Sequence, residues 1–209
     1  PLADADLALI PGDATVAAAF RLNAETIYNE FLTSLGTFDP HARDEFLREV
    51  PRGLERELGL SITDDILRPL GDTWCLWSAP SEGGLVFTGL TLAVTVKDRD
   101  RCRKTLDKIT GLLRRELGAP GDAGERRPRR GFSIESTTCR GVAIQYLNAI
   151  GEECPAAPAW CLTDTHFYIS LFPQMLKAAL ARGATIESSL ARQPALKDRG
   201  GALAVTYAD

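Results

Sequence analysis

The 209-residue chain has 44% hydrophobic residues, 25% charged residues and a formal net charge of -4 at pH 7. These values are typical of a globular protein with one hydrophobic core rather than of a disordered or membrane-spanning chain. The acidic balance argues against general nucleic-acid binding, which needs clustered Lys and Arg to neutralise phosphates. Because no run of about 18 apolar residues occurs, the sequence predicts no transmembrane segment.

The first third of the sequence predicts a strand followed by helices. Alternation in "VAAAFRLN" indicates a strand that ends near Leu22, and Asn23 is typical of a helix N-cap. A helix is expected from Ala24. Pro40 suits the first turn of a second helix, which Pro51 should kink or split.

The middle of the chain changes to the period-two pattern of strands. "TWCLWS" and "GLTLAVTVKD" both alternate, and Thr91 to Val96 is expected to be the central strand. Asp98 is typical of the N-cap of an amphipathic helix that ends near Leu117.

The last third predicts two hairpins, a helix and a final strand. "GFSIEST" and "GVAIQYLNA" flank "TCRG", and "AWCL" and "HFYISL" flank "TDT". "FPQMLKAALARG" begins with Pro173 in the first turn and ends at Gly183, which indicates a complete short helix. "ALAVTY" predicts the last strand.

A basic run, Arg126 to Arg130, lies in the Gly- and Pro-rich segment "GAPGDAGERRPRRG". This composition predicts a loop between two elements. We interpret the run as a solvated loop, and an anionic docking patch is the alternative.

The tripeptide Trp-Cys-Leu occurs twice, at Trp74 to Leu76 and at Trp160 to Leu162, in a chain with only three Trp and five Cys. Each copy opens a predicted strand that leads through a partner strand into an amphipathic helix. We therefore interpret the copies as an internal duplication of a strand-strand-helix unit. The duplication predicts that the helices at Asp98 to Leu117 and Pro173 to Arg182 pack on the same sheet face.

These patterns predict the α+β class, with an antiparallel or mixed sheet and amphipathic helices packed on one face. We expect a single domain over residues 1–209, with two lobes at about 12–118 and 131–209 as an open alternative. The chain starts at Pro1 without an initiator Met and finishes on a capping residue, Asp209. We therefore expect a fragment of a longer protein.

Five cysteines, an odd number, show no Cys-x-x-Cys spacing. Cys75 and Cys161 in apolar strands are typical of small buried hydrophobes. Disulfides between Cys75 and Cys161, or between Cys139 and Cys154, are the alternatives that the sequence leaves open.

The segment "TDTHFYIS" contains Asp164, His166 and Ser170, which superficially offer an acid, a base and a nucleophile. Along a strand His166 and Ser170 lie about 13 Å apart, too far for the hydrogen bond that activates a nucleophile. The two histidines of the chain do not have metal-ligand spacing. No nucleophile elbow, P-loop or dinucleotide fingerprint occurs. The sequence therefore predicts no catalytic, cofactor-binding or metal-binding residue and no cofactor.

The three tryptophans, Trp74, Trp77 and Trp160, are candidates for the lining of a ligand groove. Trp74 and Trp77 fall on opposite faces of one strand, so at least one of them should lie in the core.

The segments "IPGDATVAAAFRLN", "PLGDTWCLWSAPSEGG", "LTLAVTVKDRDRCRKTL" and "APAWCLTDTHFYISLFPQMLKAAL" resemble uncharacterised bacterial proteins of planctomycete type. These proteins are similar to a broader family built on a domain of unknown function. The resemblance spans nearly the whole chain and implies an exported or envelope-associated protein, in a periplasmic, envelope or secreted location. It implies no catalytic residue.

Together these observations lead to the hypothesis of a non-enzymatic extracytoplasmic binding or structural module within a larger bacterial protein. The alternative is a hydrolase-like or small-ligand-binding enzyme domain whose site is assembled from distant loops. The sequence identifies no partner. Self-association, for instance through a sheet edge, and contact with the remainder of the parent protein are both open.

Overall fold

A computed structural model of the chain describes residues 2–83, 89–117, 131–150, 156–196 and 202–208. These ranges contain five α-helices and eight strands, together with a π-helix and short 3₁₀ turns. In chain order the helices and strands are α1 (Asp4–Leu7), β1 (Val16–Arg21), α2 (Ala24–Phe38), α3 (Pro40–Leu58), the π-helix (Ile62–Leu67), β2 (Leu70–Ser78), β3 (Thr91–Val96), α4 (Arg99–Leu117), β4 (Gly131–Cys139), β5 (Val142–Ile150), β6 (Ala159–Leu162), β7 (His166–Ser170), α5 (Pro173–Arg182) and β8 (Ala204–Ala208).

The eight strands form one antiparallel sheet in the order β4-β5-β6-β7-β3-β2-β1-β8. The α+β class and the antiparallel sheet are confirmed. The central position expected for Thr91 to Val96 is also confirmed, because β3 lies between β7 and β2 in the middle of the sheet.

Local signals set most helix ends. The Asn23 side chain accepts a hydrogen bond from the backbone N–H of Thr26 and so caps α2. Pro51 was expected to kink or split the second helix; it does not split it, because α3 continues through this proline to Leu58. Pro51 leaves one backbone carbonyl without its intrahelical donor, and solvent can satisfy that carbonyl because no residue of α3 is buried.

The two faces of the sheet are covered by different helices. We call them the α5 face and the α4 face. On the α5 face, the Cys139 thiol donates to the backbone carbonyl of Lys177 in α5. On the α4 face, the Thr110 hydroxyl of α4 donates to the side-chain oxygen of Gln145 in β5, at 2.9 Å. Residues in successive positions of a strand point to opposite faces, so these contacts assign every strand residue to a face.

The hydrophobic core lies on the α5 face. Register places Cys75, Ala93, Tyr168 and Cys161 side by side across four strands, and all four are buried. Leu176 of α5 is fully buried against this row, which contributes about 2 kcal/mol of hydrophobic stabilisation. The small side chains in the row leave room for α5 and for the segment around α1, which belongs to the same cluster.

The prediction that α4 and α5 pack on the same face is therefore wrong. Both faces of the central strands are apolar, so alternation alone gives no polar side that would exclude a helix. The strand part of the predicted repeat does have a symmetric setting, because Cys75 and Cys161 flank the central Ala93 and Tyr168 at matching positions. The internal duplication itself stays a prediction.

Gly71 allows a close approach of β2 to β3. A Cβ atom at this position would lie 1.9 Å from the Thr95 side-chain oxygen, and the same oxygen accepts a hydrogen bond from the backbone of Thr73. The register of the β2–β3 pair shifts between Leu70 and Trp74, at this approach.

Within the described ranges, no helix is long and apolar enough to cross a membrane.

Candidate ligand-binding cleft

A cleft of about 560 Å³ opens on the α4 face at one end of the sheet. Its walls are the first turns of α4, the β4–β5 turn and the β6–β7 turn, and its volume lies within the usual range for small-molecule sites. The side chains that matter for its chemistry are Arg99, Arg103, Leu106, Asp107, Arg140, Gln145, Trp160 and Asp164.

Helix α4 supplies one wall of the cleft. Arg99, Arg103 and Leu106 follow each other at spacings of four and three residues, which places them on one side of the helix. The Asp98 side chain caps the helix by accepting from the backbone N–H of Arg101. Two arginines at positions i and i+4 repel each other, so helix stability does not explain this pair.

The β4–β5 turn supplies Arg140 in a strained conformation. Arg140 has φ 49° and Gly141 has φ 80°, and these two residues form the whole loop between Cys139 and Val142. Such a primed turn needs positive φ at both central positions and favours Asn, Asp or Gly there. A left-handed conformation costs a residue such as Arg roughly 1–2 kcal/mol. Strain of this kind is concentrated at functional sites, and here it lies on the rim of the cleft.

The β6–β7 turn supplies a carboxylate that meets Arg99. The Asp164 Oδ1 atom lies 3.0 Å from Arg99 Nη2, while 84% of the Asp164 side chain is exposed. The Nε atom of Arg99 is buried and has no hydrogen-bond partner among the described residues. Arg99 therefore presents its Nη2 atom to Asp164 at the cleft, while its Nε atom lies inside the protein.

Trp160 lies on the wall of the cleft, and its indole differs from the other two. Trp74 donates to the Leu22 carbonyl at 3.0 Å, and Trp77 donates to Glu82 at 2.8 Å. The half-buried Trp160 indole N–H donates to no described residue. The indole N–H of this half-buried side chain can donate to a ligand in the cleft.

The charge of the cleft is positive although the chain is acidic. Arg99, Arg103 and Arg140 carry three positive charges, against two negative charges on Asp107 and Asp164, which leaves a formal net charge of +1. Neither Arg103 nor Arg140 forms an ion pair with a described residue. Chemically, the cleft can hold an anion through charge-assisted hydrogen bonds.

No pattern considered in the sequence predicted a site at the three arginines. They come from two elements that only the sheet brings together, and Trp160 was considered only as one of three groove candidates. The i, i+4 pair of Arg99 and Arg103, and an arginine before Gly141 in a two-residue loop, were the available signals.

The three residues of the superficial catalytic set have separate partners. Asp164 pairs with Arg99, the His166 Nδ1 atom lies 2.8 Å from the Thr165 hydroxyl, and the Ser170 hydroxyl donates to the Phe172 carbonyl. Burial lowers the pKa of His166. These contacts do not bring an acid, a base and a nucleophile together.

Cys75 and Cys161 are free buried thiols. Two strands separate them, so their Cα atoms lie about 14 Å apart, and the alternative of a disulfide between them is wrong. Burial raises the pKa of each thiol to about 12. Thiols with such pKa values are poor nucleophiles at neutral pH.

Cys139 is also free, and its suggested partner Cys154 lies outside the described residues. The basic run Arg126 to Arg130 lies outside them as well.

A second polar cluster is buried between α5 and the N-terminal segment. Glu82 is 5% exposed and accepts hydrogen bonds from the Trp77 indole and from Arg182 Nε, at 2.8 and 3.1 Å. Arg182 also donates to the backbone carbonyls of Ala8 and Leu9. Burial raises the pKa of Glu82, and the bonds from Trp77 and Arg182 oppose this shift. Because the donors and acceptors are paired with each other, the cluster acts as a structural clamp.

Within the described ranges, His, Cys, Asp and Glu side chains form no group of three or more that could hold a metal ion.

Comparison of the chain with protein-family models, with curated proteins and with solved structures found no match. The geometry of the cleft is therefore the basis for a functional assignment.

Proposed function

We propose that this domain is a non-enzymatic binding module that captures a small organic anion in the cleft between α4 and the two turns. The observation that carries the proposal is the convergence in one cleft of three guanidinium groups and the indole of Trp160. Of the three arginines, Arg99 pairs with Asp164, whereas Arg103 and Arg140 pair with no described residue. An anion can form charge-assisted hydrogen bonds with these guanidinium groups.

The strain at Arg140 supports the proposal independently of charge. Asn in its place would suit the turn better, yet the side chain present is a long cation that reaches the cleft. A conformational cost at a cleft residue is the pattern expected when a binding function fixes the residue type.

We also propose that the module works outside the cytoplasm as part of a larger bacterial protein, as the resemblance to planctomycete-type proteins implies. The hydrolase-like alternative has less support. The buried thiols of Cys75 and Cys161 have raised pKa values, and His166 bonds to Thr165 rather than to a nucleophile.

The proposal is tested by titration calorimetry of the domain with a panel of small anions that includes acetate, phenylacetate, phosphate and phenyl phosphate. We expect saturable binding of at least one anion, with affinity reduced about tenfold in Arg103→Gln because one charge-assisted hydrogen bond is worth about 1.5 kcal/mol. Lys104→Gln is the matched control, since it removes the same charge from the next position of α4 without lining the cleft. Equal loss in both variants, or no binding of any anion, would contradict the proposal.

A further inference from the structure

Resting on the proposed function, we infer that the ligand of the cleft is a small aromatic monocarboxylate, whose carboxylate meets Arg99 and Arg103 while its ring packs against Trp160 and Leu106. Three properties of the cleft favour this class of ligand: its net charge, the Asp164 carboxylate that already pairs with Arg99, and the chemistry of its walls.

Net charge favours a single negative charge. The formal charge of +1 is neutralised by a monoanion, whereas a phosphate monoester brings nearly two negative charges at pH 7. The second charge of a phosphate would face Asp107 and Asp164 without a matching cation. A dianion is therefore disfavoured relative to a carboxylate of similar size.

A carboxylate of the protein itself, that of Asp164, already pairs with an arginine of the cleft. The Asp164 carboxylate reaches Arg99 Nη2 at 3.0 Å from a turn in which most of its side chain is exposed. An exposed ion pair of this kind contributes little to stability, so a ligand carboxylate can replace it at low cost. Asp164 thus occupies the place that the carboxylate of the ligand takes at Arg99, and Arg103, one turn along α4, gives the ligand a second cation.

The walls favour a flat apolar group beside the carboxylate. Trp160 and Leu106 line the cleft next to the arginines, and both side chains are half-buried. Contact with another aromatic ring stabilises an aromatic ring beyond the burial of area. Arg140, which also lines the cleft, can stack on the same ring. A saturated ring of equal size lacks both gains.

The test compares four probes by calorimetry: phenylacetate, acetate, cyclohexylacetate and phenyl phosphate. We expect phenylacetate to bind at least ten times more tightly than acetate, and about five times more tightly than cyclohexylacetate and phenyl phosphate. Equal or tighter binding of cyclohexylacetate would overturn the aromatic part of the inference. Equal or tighter binding of phenyl phosphate would overturn the monocarboxylate part, and either result would leave the proposed anion-binding function standing. If none of the four probes binds, the inference is overturned. If none of the anions in the panel described under the proposed function binds either, the proposed function is overturned as well.

The affinity of an Asp164 variant for phenylacetate provides a second test. Asp164→Asn should bind phenylacetate about three to ten times more tightly, because the competing carboxylate is gone. Asp100→Asn removes the same charge from an exposed position of α4 outside the cleft and should leave the affinity unchanged. Weaker binding by Asp164→Asn would show that Asp164 contributes to ligand binding and does not compete with the ligand. This result would overturn the assignment of the ligand carboxylate to the Asp164 position.

Discussion

The buried contact between Arg182 and Glu82 makes a quantitative prediction for the substitution Arg182→Met. Removal of one partner from a buried ion pair typically destabilises a protein by about 3–5 kcal/mol, because the other charge stays buried without compensation. Glu82 can avoid the cost of an unpaired charge by taking up a proton, which sets an upper limit on this electrostatic part; the Ala8 and Leu9 carbonyls lose their donor in addition. Protonation of a carboxyl group costs about 1.36 kcal/mol for each pH unit above its ordinary pKa of about 4.3, which is about 3.7 kcal/mol at pH 7 and about 1 kcal/mol at pH 5.

The pH dependence follows from the direction of the pKa shift. Burial already raises the pKa of Glu82 in the wild-type protein, and loss of Arg182 raises it further. A carboxyl group with a raised pKa in the folded state binds its proton more tightly when folded, so stability is lost as pH rises through the window above about 4.3. We therefore expect Arg182→Met to be destabilised by about 3–4 kcal/mol at pH 7, with at most about 2.7 kcal/mol of this recovered at pH 5.

Urea unfolding at both pH values measures these free energies. The double variant Arg182→Met with Glu82→Gln should lose most of the pH dependence, because the titrating group is gone. Arg48→Met, at a residue whose side chain is 64% exposed, should change stability by less than about 0.5 kcal/mol. A destabilisation of Arg182→Met below 1 kcal/mol at pH 7, or an equal value at both pH values, would refute the clamp.

Three further predictions concern the strained turn, the close strand approach and the thiols. Arg140→Asn should stabilise the fold by about 1 kcal/mol in urea unfolding and weaken phenylacetate binding in calorimetry, whereas parallel losses of both would contradict strain at this residue. Gly71→Ala should cost about 1–3 kcal/mol in thermal unfolding because its Cβ meets a β3 side chain, while Gly111→Ala on α4, with open space around it, should gain about 0.5–1 kcal/mol. Cys75 and Cys161 should resist alkylation by iodoacetamide at pH 8 in the native state and react on unfolding, as mass spectrometry of peptides will show; rapid native labelling would be inconsistent with their burial and raised pKa.

Strands, caps and hairpins could be predicted from the sequence because their signals are local. Asn23 caps α2 through a residue three positions away, and the two-residue loop before Val142 sets the β4–β5 register. The central position of β3 also follows from its own alternating pattern. Each of these features depends on interactions within a short stretch of chain.

The helix faces could not be predicted in the same way. Ala93 and Val94 point to opposite faces of β3, yet both are buried, so the strand pattern does not choose between α4 and α5 as neighbours. The choice is made by packing against segments far along the chain, such as the contact between Thr110 and Gln145.

The cleft was missed for a related reason. Arg103, Arg140 and Trp160 are separated by tens of residues, and each has an ordinary explanation in its own element: a solvated helix face, a turn residue and a strand aromatic. Their joint meaning depends on the sheet order, which places the β4–β5 and β6–β7 turns beside the start of α4.

The most direct test of an anion site in this cleft is the indole N–H region of the NMR spectrum at saturating phenylacetate. Three indole signals are expected, one for each tryptophan, and Trp160→Phe assigns the signal of Trp160. We predict that the Trp160 signal moves saturably, while those of Trp74 and Trp77, which already donate to Leu22 and Glu82, stay in place. An unchanged Trp160 signal, at a phenylacetate concentration where calorimetry detects binding, would place the anion elsewhere and contradict the assignment of this cleft.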